Sequence, residues 1–478
     1  MSTSLLQNTP LEDIPKIHAR LYETVRSGKT LPLAYRRKQL LQLAHLIQDN
    51  VKAIEAAELA DLGKPALEVV LNELGPVVQA CLRAVKHLEE WAEPEKPPVE
   101  EWRSNWDTTI YKAPKGVVLL ISPWNYPWIL TFNPLVGAIA AGCPVALKPS
   151  ESSPACSALI AELVPKYLDQ DAYIVVNGAV SETTALLDLR WDHIFFTGGG
   201  SVGRVVAAAA AKFVTPVTLE LGGKSPVIID SDCDIEVAAK RTLFGKLQNN
   251  GQLCVTPDYV CVPRAVLPQF KKAISSAYSQ FWPNSALHPS SQWGHIVTPN
   301  HHTRVWNLIK NTKGEILEGG HVEPDKKKIA PTIVTGVSLD DPLMENENFG
   351  PVLPIIEVED VDEAIDVVRS RPTPLVLYAF TNNEETKQKL LDKTSSGSLI
   401  LNDTVTQLAV HEIPFGGLGE SGYGAYSSKH TFDLFTHRRS SINVPTEFEP
   451  NFAFRYPPYS PESYAFVERD VMAKIPDA

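Results

Sequence analysis

The 478-residue chain reads as an α/β protein with two Rossmann-like sheet regions that share a cleft. Three observations carry that reading. The length suits two or three domains, and with 44% hydrophobic and 21% charged residues the composition is that of an ordinary soluble globular protein. The first hundred residues are helical in pattern. Beyond them, short β-rich apolar runs alternate with helix-like segments, which argues for parallel strands joined by crossover helices.

In order along the chain, Ile14, Ile17, Leu21 and Val25 fall on one helical face, and Leu40, Leu43 and Ile47 repeat the spacing. A charged, proline-rich break follows around Glu93 to Trp102. The first strand series runs Val117–Ile121, Val145–Leu147, Tyr173–Val176, Ile194–Phe196 and Val217–Leu221. A second comprises Pro226–Ile229, Tyr259–Val262, Ile355–Val358, Leu375–Ala379 and Ser398–Leu401. Gly116 to Leu147 contains no charged residue and is longer than a membrane-spanning helix needs. Pro123, Pro127, Pro134 and Pro144 nevertheless interrupt any single helix, so the run is expected to be strand, turn, buried helix and strand. The tail from Pro445 to Ala478 is rich in Pro, Tyr and Phe and is expected to wrap over a surface, with no membrane anchor.

A net charge of −12 with scattered basic residues excludes the electrostatic footprint of a nucleic-acid binder and points to a small-molecule partner. The six cysteines form no CxxC pair, which predicts free thiols in a reducing compartment and no zinc site. The N-terminal residues lack a basic-then-apolar signal, so a cytoplasmic location is expected.

Four stretches carry chemistry. "NNGQLCVTPDYV" places Cys254 just after a turn, where it is either an apolar filler or a nucleophile in a pocket. "TGGGSVGR", with Gly198 to Gly203, lies between a strand and an Ala-rich helix, where backbone N–H groups could meet phosphates. The spacing is not GxGxxG, and a plain turn explains the glycines equally well. "LKPSES" ends a strand with Lys148 and Glu151, where nucleotide hydroxyls bind in parallel sheets, though solvated surface residues would read the same. "TLELGGKSP" sets Glu220 between Leu219 and Leu221, where desolvation would raise its proton affinity toward that of a general base. A solvent-facing edge glutamate is the competing role.

Taken in order, "SPWNYPW", "LKPSE", "FTGGGSVGR", "LELGGKSP", "NNGQLC", "ENENFGPVLP" and "IPFGGLGESGYG" resemble the NAD(P)-dependent aldehyde dehydrogenase superfamily over about Asp107 to Arg439. "PWNYP", "CVTPDYV", "FTHRR" and the short N-terminal region are similar to its class 3 branch of fatty, aromatic and apocarotenoid aldehyde dehydrogenases. The resemblance implies an NAD-binding domain at 1–99 and 116–222 and a catalytic domain at 223–424. Oligomerisation strands and the tail would occupy 100–115 and 425–478. A homodimer is implied by the likeness of Trp102 to Lys112 and the stretch after Tyr423 to strands through which class 3 members pair.

The resemblance also implies roles. Cys254 as thiolate attacks the aldehyde carbonyl, the Asn125 amide and the Cys254 N–H hold the oxyanion, hydride passes to the nicotinamide, and Glu220 activates water to release the acid. Lys148 and Glu151 match adenosine-ribose contacts, and Glu347 with Phe349 match residues that position the nicotinamide ribose and ring. Gly198 to Gly203 start the helix that faces the pyrophosphate. A carboxylate at Glu151 favours NAD over NADP, although class 3 members use both. Trp124, Tyr126 and Leu253 are candidates for the substrate tunnel, with core packing the commoner role for such aromatics. "PFGGLG", from Pro414 to Gly419, is expected to shape a turn beneath the catalytic loop. The chain departs from the family at "FTGGG", at Leu253, where threonine is commoner, and at Asn346 and Asn348.

Two other functions compete with oxidation of an apolar aldehyde. An acylating enzyme would pass the thioester to coenzyme A or phosphate, which a hydrolytic base at Glu220 would waste. A non-catalytic nucleotide-binding relative would not need Cys254, Asn125, Glu220 and Glu347 together.

Overall fold

Helices Ile14–Ser27 and Leu33–Asp49 begin the structure, a computed structural model that describes residues 6–477. Each buries the face its spacing marks, with Ile14, Leu21, Leu40, Leu43 and Ile47 inaccessible or nearly so. The first helix ends at Gly28, whose φ of 70° is the left-handed conformation that glycine adopts without penalty. Helices Val51–Leu62 and Gly75–Ala92 complete the N-terminal region, with Ala66–Val69 and a wide π turn, Val70–Leu74, between them.

Two sheets follow. The first has the order Gly422–Tyr423, Val217–Leu221, His193–Gly198, Val118–Ile121, Val145–Lys148, Tyr173–Val175. It is parallel except for Gly422–Tyr423, which pairs antiparallel with Leu219 and Glu220. The second has the order Ser398–Leu401, Val376–Phe380, Pro226–Ile229, Tyr259–Pro263, Val352–Val358, Thr332–Thr335, Glu315–Glu318. Only its last strand is antiparallel. All ten expected strands are present within a few residues. Glu315–Glu318, Thr332–Thr335 and Gly422–Tyr423 escape the sequence pattern: the first is a half-exposed edge strand with charged ends, the second is a buried strand with threonine at both ends, and the last is two residues long.

The uncharged run resolves into strand Val118–Ile121, a turn, the buried helix Ile129–Ala141 and strand Val145–Lys148. Among the described residues, no helix is long and apolar enough to cross a membrane. The "TGGG" segment differs from expectation. The helix begins at Gly200, so only Gly198 and Gly199 lie ahead of it, while Gly203 sits inside its first turns.

By contacts, one compact unit holds the chain up to Trp91 together with Pro114–Thr436, and therefore both sheets. Within it the chain crosses from the first sheet to the second through Gly222 to Ser225 and returns at Gly422–Tyr423. The other unit holds Ala92–Ala113 and the chain from His437 onward. It contains all but one end residue of each strand in the pairing of Thr109–Pro114 with Thr436–Ser441. There Glu95 is held by Lys112 and by both guanidinium nitrogens of Arg438, which bring its carboxyl down to about 2. Trp102, Trp106, Phe448 and Phe452 form an edge-to-face cluster in the same unit.

Candidate active site

The segment around Cys254 is shaped by its own turn residues. Asn249, Asn250 and Gly251 have φ of 49°, 57° and 73°, and asparagine and glycine are the residues that tolerate this left-handed run best. Gly251 has a second constraint, because a Cβ there would lie 2.3 Å from the Gly350 carbonyl oxygen. The Asn249 amide donates to the Asn125 carbonyl at 2.7 Å and to the Gln252 carbonyl at 3.2 Å. In turn, the Asn125 amide donates to the Gln252 carbonyl at 3.0 Å, which leaves its second N–H for another acceptor. On the far side of the cysteine, the Tyr378 hydroxyl donates to the Val255 carbonyl at 2.6 Å. Loop 123–128 and the cysteine loop are thus stitched together, with the Asn125 amide bonded two residues ahead of Cys254.

Cys254 is half-buried, whereas Cys81, Cys143, Cys156 and Cys261 are buried. Burial, then the nearby Glu347 and Glu220 carboxylates, push its thiol well above the usual range. The backbone N–H groups of Cys254 and Val255 lie against the sulfur and oppose that push. Burial and the two flanking carboxylates thus favour the neutral thiol over the thiolate.

Glu220 is 3% exposed, and both its carboxylate oxygens are buried without a hydrogen-bond partner among the described residues. Desolvation alone raises its carboxyl well above the ordinary range, as expected for an acid flanked by leucines and at odds with a solvent-facing edge residue. The "PFGGLG" turn lies beside this strand: Gly416 and Gly417 are backed closely by the Gly424 and Ser421 carbonyls, and the chain then enters the pairing of Gly422 with Glu220.

Glu347 lies against the same strand end. A Cβ on Gly222 would lie 2.1 Å from its carboxylate, and the Gly223 N–H donates to it. Burial, then Asp258, push this carboxyl up to about 8. Its loop is clamped from behind: Asp258 accepts the Asn348 N–H at 3.0 Å and binds Lys224, which also donates to the Leu343 and Asn346 carbonyls at 2.7 and 2.9 Å. Asn348 is fully buried, so that motif position is a structural anchor. Lys246 is buried with its ammonium 3.9 Å from Asp258 and no hydrogen-bond partner among the described residues, and burial lowers it to about 8. Phe349, at φ 41°, meets the edge of Trp124 at 5.4 Å between ring centroids.

The nucleotide-side residues lie at the carboxyl ends of the first sheet's strands. Lys148 is buried, contrary to a solvated role, and donates to the Pro149 carbonyl at 2.8 Å and to exposed Glu151 at 3.1 Å. Gly199 is the N-cap of helix Gly200–Ala211; no side chain caps it, and a Cβ there would meet nothing within 4 Å. That open approach to uncapped N–H groups, at the same edge of strand ends in the sheet as a buried lysine and a carboxylate, fits a dinucleotide. Gly203 acts differently: a Cβ would lie 2.7 Å from Leu221, so its part is to let the helix close onto the sheet.

Of the tunnel candidates, Tyr126 and Leu253 belong to the buried apolar cluster of the second sheet, against which Cys254, Ile129, Leu130, Val405 and Phe415 also pack. Trp124 is half-buried between Phe349 and His301. Sequence reading missed Asn249, Gln252, Tyr378, Lys224, Lys246 and Asp258. Only the Asn-Asn-Gly turn carried a local signal; the others act through contacts across dozens of residues.

Comparison with known proteins gives a consistent result. The sequence model of the "Aldehyde dehydrogenase family" matches residues 6–441. The rat "Aldehyde dehydrogenase, dimeric NADP-preferring" is 44% identical over 441 residues, covering 92% of this chain and 96% of that protein. "Aldehyde dehydrogenase family 3 member H1" of Arabidopsis thaliana is 43% identical, covering 91% of this chain and 90% of that one. Among solved structures, "Substrate bound state of Staphylococcus Aureus AldH" superposes with a TM-score of 0.92 at 36% identity, covering 96% of this chain and 99% of that one.

Proposed function

The chain belongs to the aldehyde dehydrogenase family, and from that premise we propose that it oxidises an apolar aldehyde to the carboxylic acid through a covalent intermediate on Cys254. It is an NAD(P)-dependent oxidoreductase. The observation that carries the finer reading is a half-buried thiol within electrostatic reach of Glu220, a carboxylate whose two buried oxygens have no hydrogen-bond partner among the described residues.

Cys254 attacks the carbonyl carbon once its proton has gone to Glu220 and on to water. The free N–H of the Asn125 amide and the Cys254 N–H, which faces the sulfur, hold the developing oxyanion. Lys148 and Glu151 would hold the adenosine ribose, the start of helix Gly200–Ala211 the pyrophosphate, and Glu347 with Phe349 the nicotinamide end. NAD(P), when bound, would supply the acceptor for the hydride lost by the carbonyl carbon as the thioester forms. Glu220 then takes a proton from water as its oxygen adds to the thioester, and the acid leaves as Cys254 regains a proton. Desolvation keeps that carboxyl a stronger base than an exposed one would be.

Several details support the finer assignments. The half-buried Ile129, Leu130, Val405 and Phe415, which pack against the same apolar cluster as Cys254, favour an apolar substrate. Glu151 disfavours a 2′-phosphate, yet its pairing with Lys148 softens that repulsion, so NAD is preferred and NADP accepted. The rat relative is named as NADP-preferring and dimeric. A homodimer through the two-stranded pairing of Thr109–Pro114 and Thr436–Ser441 fits a ribbon too small to be stable alone. Six free cysteines suit a reducing compartment, and a cytoplasmic enzyme is the simplest assignment.

The test is NADH formation from aldehydes of rising chain length. Cys254→Ala should abolish it. Glu220→Gln should lower steady-state turnover by about 10²-fold or more while the first turnover falls less. Activity without the thiol would remove the covalent route, and equal loss in both phases would remove the deacylating base.

A further inference from the structure

The reaction proposed above makes no use of the charged residues between Glu58 and Glu73, yet Glu58, Lys64 and Glu73 are among the most deeply buried polar residues of the chain, at 0%, 2% and 0% exposure. Helix Val51–Leu62 stops at Gly63, whose φ of 64° turns the chain inward at Lys64. The helix restarts at Ala66, and the π turn Val70–Leu74 keeps Glu73 buried while Leu67 and Leu71 face out. The Lys64 ammonium contacts Glu73 closely and Glu58 at 3.0 Å. It also donates to the Asn125 carbonyl at 3.3 Å and lies 4.2 Å from the centre of the Tyr126 ring.

The cluster's other bonds reach the same two loops. The second oxygen of Glu73 accepts the Trp128 and Ile129 N–H groups at 2.9 and 3.4 Å, at the start of helix Ile129–Ala141. Glu68 accepts the Asn249 N–H at 2.5 Å, and Asn249 in turn bonds the Asn125 carbonyl. One short segment therefore holds both the loop of Asn125 and the loop of Cys254. A buried ion cluster of this kind contributes little net stability, because desolvation offsets the attraction, so a positional role is the better account of it.

We propose that Lys64, fixed between Glu58 and Glu73, is a positioning residue for the oxyanion amide: its ammonium anchors the Asn125 carbonyl and so sets the direction in which the Asn125 side chain points. This rests on the reading of Asn125 as an oxyanion donor. An exposed lysine would not serve, since a mobile, hydrated ammonium cannot hold a backbone carbonyl in one place.

The experiment is single-turnover NADH formation by the full-length enzyme, with Lys64→Met, Asn125→Ala and their combination, alongside thermal unfolding. Asn125→Ala should slow the first turnover about 10²-fold. Lys64→Met should slow it about tenfold, with the KM for NAD(P) changed less than twofold. In the Asn125→Ala background the same change should cost less than a further twofold, because the residue it acts through is gone. Lys64→Met/Glu73→Gln removes the unpaired charge; it should recover thermal stability without recovering the rate, and it carries the comparison if Lys64→Met alone does not fold. Losses that multiply in the combined variant, a rate that returns with stability, or an unchanged rate in Lys64→Met would each overturn the proposal while leaving the Asn125 reading intact. No effect of Asn125→Ala would overturn both.

Discussion

At the residue scale, three ionisable groups of the site are displaced in one direction for one reason. Cys254, Glu220 and Glu347 are all taken from water, and each neutral form is favoured by burial. For Glu347 the consequence is measurable. Its carboxyl sits at about 8 where an unfolded glutamate is near 4.5, so below pH 8 it is mostly protonated and accepts ribose hydroxyls poorly. The KM for NAD(P) is expected to fall as pH rises from 6.5 to 9, and Glu347→Gln should flatten that dependence while weakening cofactor binding throughout. A variant that keeps the full pH dependence would show that another group sets it. The motif spelling marked these acids and the cysteine, but their proton affinities depend on which neighbours exclude water, which no local pattern records.

At the scale of elements, the cysteine loop is the least substitutable piece of backbone. Gly251 combines a positive φ with a 2.3 Å approach to the Gly350 carbonyl, so Gly251→Ala requires both a disfavoured conformation and displacement of the 347–351 loop. We expect destabilisation of about 2 kcal/mol or more. Because the displaced loop carries Glu347, a raised KM for NAD(P) should accompany the lowered melting temperature, as read by thermal unfolding and steady-state kinetics. A substitution that lowers stability alone would mean the two loops are uncoupled. The strands were legible because fully buried parallel strands are short, continuous apolar runs. The glycine run was only partly legible: its residues suit a phosphate approach and helix–sheet packing equally, and the helix start at Gly200 separates Gly199 from Gly203.

At the scale of the whole molecule, the first sheet carries a buried histidine with consequences for acid stability. His193 is 2% exposed, receives the Lys115 ammonium at 3.4 Å on Nδ1 and so donates from Nε2 to the Thr218 hydroxyl at 2.9 Å. Burial, then Lys115, lower it to about 3. The folded chain therefore binds fewer protons than the unfolded chain between pH 6.5 and 3, and stability falls as pH drops through that window. Between pH 7 and 5 this one residue should cost about 2 kcal/mol. His193→Gln is expected to narrow the difference in thermal midpoint between those pH values; an unchanged difference would assign the acid sensitivity elsewhere.

The amino-acid order by itself determined the α/β class, nearly every central strand and the family, and it singled out Cys254, Glu220, Asn125 and Glu347 as candidates, because strand runs and turn residues act over a few positions and the motifs recur in fixed order. Only the tertiary structure decided that Lys148 is buried, that Leu253 and Tyr126 pack in the core, that burial pushes the Cys254 thiol upward, and that Asp258 and Lys64 brace loops far from them in sequence. Those outcomes depend on desolvation and on hydrogen bonds between segments that meet only after the two sheets and the N-terminal helices have packed.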